Sequence, residues 1–252
     1  MQFCCMNLII DQGNTATKAA LFEGGILKTK VIYAKKDIHR LEDWIAQNCQ
    51  SDTNILWSSV TNQPIKINSK KILCLTSTTP LPIENEYETP ETLGKDRIAN
   101  AVAIWSKTKK NSALCIDMGT CIKYDLVVEN AYKGGDISPG MVMRYKALNV
   151  FTDQLPEIMP NQAIFENNFP EYGISTATSI INGVQQAIVH EVNGFVARYQ
   201  ERFGPLTIFM SGGDAKFFDK AFKKGIFAFS VKYWEDLTLC GLNEILEYNV
   251  KS

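Results

Sequence analysis

The chain has 252 residues, 45% of them hydrophobic, with 26 basic against 27 acidic side chains and a formal charge of -1. That is enough apolar material for one large or two small packed domains, and it excludes wholesale disorder. The near-neutral balance speaks against a general electrostatic grip on nucleic acid, and no stretch is long and apolar enough to span a membrane as a helix.

Seven cysteines (4, 5, 49, 74, 115, 121 and 240) form no CxxC pair, and several lie in apolar runs, as buried reduced thiols do. The N-terminus lacks a basic region ahead of its short apolar run, so no signal peptide is expected and a cytoplasmic location is.

In chain order, 7–10 reads as a buried strand that ends at Asp11-Gln12-Gly13-Asn14-Thr15, and 17–22 as a strand returning from that turn. Glu23-Gly24-Gly25 signals a hairpin into a third strand, 27–33. Asp37 is placed to cap a helix with Ile38, Leu41, Trp44 and Ile45 on one face. Short strands are expected at 55–60 and 72–75, then a loop over 80–90 rich in Pro and Glu. Gly94-Lys95-Asp96-Arg97 opens a helix marked by Ile98, Val102 and Trp105.

The second half repeats this plan. Strands at 113–116, 122–128 and 131–134 make another meander, and helical patterns follow at 143–154 and 178–203. The latter carries Ile180, Ile181, Val184, Ile188, Val192 and Phe195. A buried strand, 206–210, ends at Ser211-Gly212-Gly213-Asp214, with a helix, a short strand and a helix over 237–248 after it. Strands first and helices after, twice, imply a duplicated α/β unit with a cleft between the halves, divided into 1–111 and 112–252.

The chemistry lies in the repeated turn. Leu114-Cys115-Ile116 leads into Asp117-Met118-Gly119-Thr120, as Leu8-Ile9-Ile10 leads into Asp11. Each copy offers a carboxylate for a cation, a glycine that lets backbone N–H groups approach an anion, and a hydroxyl beside it. Alone, either is an ordinary hairpin turn; the repetition points to a nucleotide polyphosphate and its metal. Lys18, on the first returning strand, is within reach of an anionic oxygen, and Asp125 on the second faces either the cleft or solvent. Asp96 either caps its helix beside Arg97 or serves as an acid–base group. Neither GxxxxGK[ST] nor GxGxxG occurs, and two histidines, His39 and His190, make a His-based triad an unattractive reading.

At these residues the chain resembles type III pantothenate kinase, of the superfamily that includes acetate kinase, hexokinase and actin. The matching motifs are DQGNTATK (11–18), Tyr87 to Pro90 leading to GKDRIANAVA (94–103), IDMGT (116–120), GGDISPGM (134–141) with Leu148 to Leu155-Pro156, and Gly173-Ile174-Ser175-Thr176. The resemblance implies an actin-like ATPase (ribonuclease H-like) fold, with two α/β lobes, mixed five-stranded sheets flanked by helices, and an ATP cleft. It also implies ATP-dependent phosphorylation of pantothenate, the first step of coenzyme A synthesis. Asp11, Gln12, Gly13, Asn14, Thr15, Ala16, Thr17 and Lys18 would form the first phosphate hairpin, with Asp11 near Mg²⁺; Gly119 and Thr120 would form the second. Asp96 would be the general base, and Tyr87, Gly94, Lys95, Arg97 and Thr176 would line the pantothenate pocket. Asp117 would hold a monovalent cation, K⁺ or NH₄⁺, and Asp214 would contact nucleotide. A homodimer built partly on the helix 178–203 is implied too.

The chain departs from the family pattern D-x-G-T-A-x-T-x-D at Cys121 and at Lys123, which stands where the family has Thr. An ammonium there is expected to weaken stimulation by K⁺. Residues 1–5 precede the usual family start, so Met6 is an expected initiator. The alternatives are a regulatory accessory factor of the same family, or a kinase for another small hydroxyl compound; the intact Asp11, Asp96 and Asp117 favour the enzyme.

Overall fold

The computed structural model describes residues 6–251 apart from 14–15, 51, 62, 68, 70, 110, 166–168 and 225–230. They form two compact units: one of 1–110, 129–133 and 236–252, the other of 111–128 and 134–235.

In the first unit, β1 (Met6–Gln12) is an apolar run buried from Asn7 to Ile10. It pairs antiparallel with β2 (Ala16–Glu23), which turns at Gly24-Gly25 into β3 (Ile26–Ala34). Both turn glycines have positive φ, 57° and 77°, the backbone that a tight hairpin between right-twisted strands requires. After α1 (Ile38–Asn48), β4 (Asn54–Ser59) pairs parallel with β1, and β5 (Ile72–Cys74) parallel with β4. The sheet order is thus β3-β2-β1-β4-β5. Leu8, Ile10, Leu41, Ile45 and Ile55 fill the core between α1 and the sheet. Within the stretch expected to be loop, β6 (Glu84–Asn85) pairs parallel with the later segment Ala131–Gly134 (β9). Two residues with no alternation of their own carry no strand signal, and the pairing is visible only in three dimensions.

The helix α2 (Lys95–Thr108) is buried without a break from Arg97 to Ile104, which requires cover on more than one face. The cover comes from far along the chain. The last helix, Leu237–Lys251 (α6 below), packs on α2 within this same unit rather than with the residues just before it. A Cβ on Gly241 would lie 2.6 Å from the Ala99 carbonyl carbon and overlap its oxygen, so the two backbones touch at this crossing. Buried polar side chains fix the register: Asn54 donates to Asn7 (3.2 Å), Asn7 to Asn243 (2.9 Å) and Thr238 to Asn100 (2.7 Å). The division at 111/112 expected from sequence falls beside the observed 110/111, but 236–252 return to the first unit because α2 needs them. Gly241→Ala should destabilise the fold by about 1–3 kcal/mol, since the obstacle is backbone that cannot swing aside. A thermal melt within a degree of the parent would remove this crossing from the account.

The second unit repeats the connectivity. Its β7 (Ala113–Met118) pairs antiparallel with β8 (Cys121–Val128) and parallel with β11 (Thr207–Ser211), which pairs parallel with β12 (Lys232–Tyr233). A short strand not expected from sequence, β10 (Ile137–Pro139), runs antiparallel to β8. The helix α3 spans Met141–Val150, shorter than the expected 143–154. Apolar spacing continues past Val150, but the Thr152 hydroxyl takes the Leu148 carbonyl (2.6 Å) that its own N–H would need, and the helix stops. The helix α4 (Thr176–Phe203) begins two residues earlier than expected, at a capping box in which the Ser175 and Thr178 side chains each accept the other's backbone N–H. It buries Ile180, Ile181, Val184, Ile188, Val192 and Val196, with Phe195 packed at the margin of the core. The short α5 (Asp219–Lys224) follows β11, and α6 (Leu237–Lys251) completes the described chain. The described cysteines, 49, 74, 115, 121 and 240, are not in disulfides. Among the described residues no helix is long and apolar enough to cross a membrane.

Candidate active site

Each unit places an Asp-x-Gly turn after its central strand. In the first, Asp11 sits next to the end of β1 and Gly13 donates its N–H to the Ala16 carbonyl (3.0 Å), closing the turn into β2. Asn14 and Thr15 lie outside the described residues. Gln12 is 2% exposed, and its side chain is committed elsewhere: it donates to the Gln63 carbonyl (2.9 Å) and accepts from the Trp57 indole (3.1 Å). It thereby pins the turn to β4 and the segment after it. Thr17 is buried, Ala16 half-buried and Lys18 exposed, and Lys18 is the cross-strand partner of Asp11.

In the second unit, Gly119 donates to the Cys121 carbonyl (3.1 Å), a turn one residue tighter than the first. Gly140 N–H reaches the Thr120 carbonyl (3.0 Å) from the end of β10. A Cβ there would lie 2.6 Å from the Thr120 carbonyl oxygen and overlap that of Gly119. The bare Gly140 therefore lets backbone buttress the turn, a role the sequence reading missed; the clue was Pro139-Gly140, a break signal directly before a helix. Asp214 N–H donates to the Met118 carbonyl (3.0 Å), which brings the Ser211–Asp214 loop to the same place. Burial pushes the Asp214 carboxyl above the usual carboxylate range.

Asp117 pairs across the strands with Lys123, and the ammonium lies 2.7 Å from its Oδ2. Asp125, fully buried on β8, faces neither solvent nor an open groove.

The third cluster belongs to the first unit. Asp96 stands in the first turn of α2, where its Oδ1 accepts the Arg97 N–H (3.0 Å). A Cβ on the N-cap residue Gly94 would sit 2.6 Å from that Oδ1, so the glycine makes room for the carboxylate. Arg97 is 3% exposed, with its guanidinium carbon 5.7 Å from the Tyr87 ring centre; Tyr87 in turn stacks on Tyr132 at 6.1 Å. Lys95 reaches back to the Ser59 carbonyl (2.9 Å) at the end of β4. Tyr87, Gly94, Lys95, Asp96 and Arg97 are thus gathered at one helix start. Thr176 belongs to the second unit, in the exposed first turn of α4.

A family model described as type III pantothenate kinase matches residues 7–198. The chain belongs to the type III pantothenate kinase family. A type III pantothenate kinase from Christiangramia forsetii is 39% identical over 97% of this chain and 99% of its own length. One from Phocaeicola vulgatus is 40% identical over 98% and 100%. Among solved structures, a chain described as a Baf family transcriptional activator from Campylobacter jejuni superposes with a TM-score of 0.63 at 18% identity, covering 97% of this chain and 100% of its own. A ROK hexokinase from Thermus thermophilus gives 0.51 at 12%, covering 97% and 99%. These likenesses show the fold, that of the actin-like ATPases and sugar kinases. In this type III pantothenate kinase family member the motif GKDRIANAVA serves two ends. Its first four residues build the polar cluster, while Ala99 and Asn100 meet Gly241 and Thr238 of α6.

Proposed function

We propose that the protein transfers the terminal phosphoryl group of ATP to the primary hydroxyl of pantothenate, giving 4′-phosphopantothenate in the first step of coenzyme A synthesis in the cytoplasm. Family membership supports the reaction class. The observation that carries the reading is the GKDR helix start, where an oriented carboxylate, a buried guanidinium and an aromatic face lie together.

Asp96 would accept the hydroxyl proton as the oxygen attacks the γ-phosphorus in line and ADP departs. The Arg97 N–H fixes one carboxylate oxygen, which orients the other. Arg97, its guanidinium carbon 5.7 Å from the Tyr87 ring centre, would offer the pantothenate carboxylate a two-pronged fork. Gly13 in the first unit, and Gly119 and Thr120 in the second, would each offer backbone N–H groups to phosphate oxygens. Thr176 would add a hydroxyl to the substrate, and Asp214 would approach the nucleotide.

Mg²⁺ fits the residues present, because it binds through one or two carboxylates and keeps substrate phosphates as its other ligands. Asp11, half-buried near the end of β1 beside the phosphate turn, is such a carboxylate. The ion would neutralise charge between phosphate oxygens when bound. A monovalent cation at Asp117 does not fit: the Lys123 ammonium already stands against Oδ2.

A homodimer belongs to the same reading. A cavity of about 850 Å³ along α3 and α4 is lined by Leu148, Phe151, Leu155, Ile180 and Val184, and Thr176 also borders it. Phe151 is 84% exposed, an apolar cost that a second copy covering this face would remove. Sedimentation at micromolar concentration should give a dimer; a monomer alone would overturn this part. The reaction itself is tested by ADP release from ATP and Mg²⁺ with and without pantothenate, with the product weighed by mass spectrometry. Turnover that ignores pantothenate, or none by a folded protein, would turn the assignment toward another hydroxyl substrate or a regulatory role.

A further inference from the structure

We propose that Lys123 is a built-in replacement for the monovalent cation: its ammonium supplies from within the chain the positive charge that stands beside Asp117 and the second phosphate turn. The inference rests on the functional reading above, but its own observations are geometric. Asp117 and Lys123 are opposite residues on β7 and β8, one pair before the Gly119-Thr120 turn, and their charged atoms are 2.7 Å apart. Their side chains are 15% and 19% exposed, so water and salt screen the pair far less than they would a surface pair.

Strands flank this pair on both sides. On the β11 side, Ser211 is the neighbour of Asp117. Gly212 follows with φ +91°, and a Cβ there would come within 2.6 Å of Asp117 Oδ1 and overlap the Met118 carbonyl oxygen. The carboxylate is therefore confined between the Gly212 backbone and the Lys123 ammonium. On the other side of β8, Ile137 of β10 is the cross-strand neighbour of Lys123. A K⁺ ion at Oδ2 would have to expel a charge of its own sign that is anchored to the sheet.

The first hairpin shows that this arrangement is native to the architecture. Asp11 and Lys18 are opposite each other on β1 and β2, as Asp117 and Lys123 are on β7 and β8. Lys18 is exposed, whereas Lys123 is drawn in to its carboxylate. An ammonium carries one positive charge and three N–H donors, which suits it to a place between a carboxylate and phosphate oxygens. Because it is tethered, its local concentration is set by the chain and not by the medium.

The experiment compares the parent, Lys123→Thr and Lys123→Met in KCl and in tetramethylammonium chloride at equal ionic strength. All other cations are Tris salts and Mg²⁺ is constant. Two readouts are taken: pantothenate-dependent ADP release, and the melting temperature with Mg²⁺ and ADP. The parent should change rate by less than about twofold between the salts and show no K⁺-specific rise in melting temperature. Lys123→Thr should lose at least about tenfold without K⁺, recover most of it in KCl, and melt higher in KCl. Lys123→Met, which keeps the apolar stem without the charge, should show the loss without K⁺ even if the Thr variant folds poorly. A parent stimulated by KCl as strongly as Lys123→Thr overturns the proposal, and so does a Lys123→Thr indifferent to KCl in both readouts. If the parent turns over no pantothenate in either salt, the functional reading fails, and the melting comparison still decides the role of Lys123.

Discussion

Asp96→Asn should fold as the parent does and phosphorylate pantothenate about 10²–10⁴ times more slowly, the span that a positioned general base contributes. That corresponds to about 3–5 kcal/mol of lost transition-state stabilisation. The amide keeps the shape of the carboxylate and keeps an oxygen to accept the Arg97 N–H. The start of α2, the Gly94 approach and the Tyr87–Arg97 stack should all survive. What is lost is the capacity to take a proton. The loss should therefore fall on kcat, with little change in the KM for ATP, and the melting temperature should stay close to the parent's. A variant within about threefold of the parent in kcat would leave Asp96 as a capping residue and send the search for the base elsewhere.

Gly140→Ala should damage both stability and nucleotide use. Its Cβ would overlap the Gly119 carbonyl oxygen and sit 2.6 Å from that of Thr120, and neither obstacle is a flexible side chain. Relief requires moving the Gly119-Thr120 turn itself, at about 1–3 kcal/mol, or a melting temperature lower by about 2–12 °C for a chain of this size. A displaced turn presents its N–H groups in the wrong place, so the KM for ATP should rise by about tenfold or more. Gly213→Ala is the control, because a Cβ there meets nothing within 4 Å, and its stability should stay within about 0.5 kcal/mol. Equal behaviour of the two variants would mean that the buttress under Gly119 and Thr120 carries no weight.

The local geometry of the candidate site was legible where its residues are neighbours in sequence. Asp11 and Asp117 each follow a short, uniformly apolar run and precede a glycine, so strand, turn and carboxylate are read together. Gly94 to Arg97 reads likewise, since a helix start is a four-residue event. Illegible were the partners that arrive from a distance. Nothing near Gly140 says that its neighbours will be Gly119 and Thr120, because β10 is three residues long, ends in proline and has no pattern of its own. Gln12 reads as part of a phosphate motif, yet its side chain is tied to Trp57 and Gln63, contacts set by a parallel pairing some 45 residues on. The Lys123 departure and an expected effect on K⁺ were visible in the sequence, but the ion pair with Asp117 was not. Whether an ammonium reaches Oδ2 or turns to solvent depends on strand register.

The return of α6 to the first unit orders events during synthesis. A ribosome delivers Met6–Gln12 and α2 early, yet the buried face of α2 and the polar side chain of Asn7 find their partners in residues 236–251. Until those residues are available, the N-terminal sheet carries an uncovered apolar helix, whereas the 111–128 and 134–235 unit needs no residue beyond 235. The part made first therefore completes its core only with residues 236–251, and until then it exposes apolar surface of the kind that aggregates. A nonsense mutation that removes only α6 would thus uncover the Asp96 helix and the buried side chain of Asn7, although neither lies within a hundred residues of the stop.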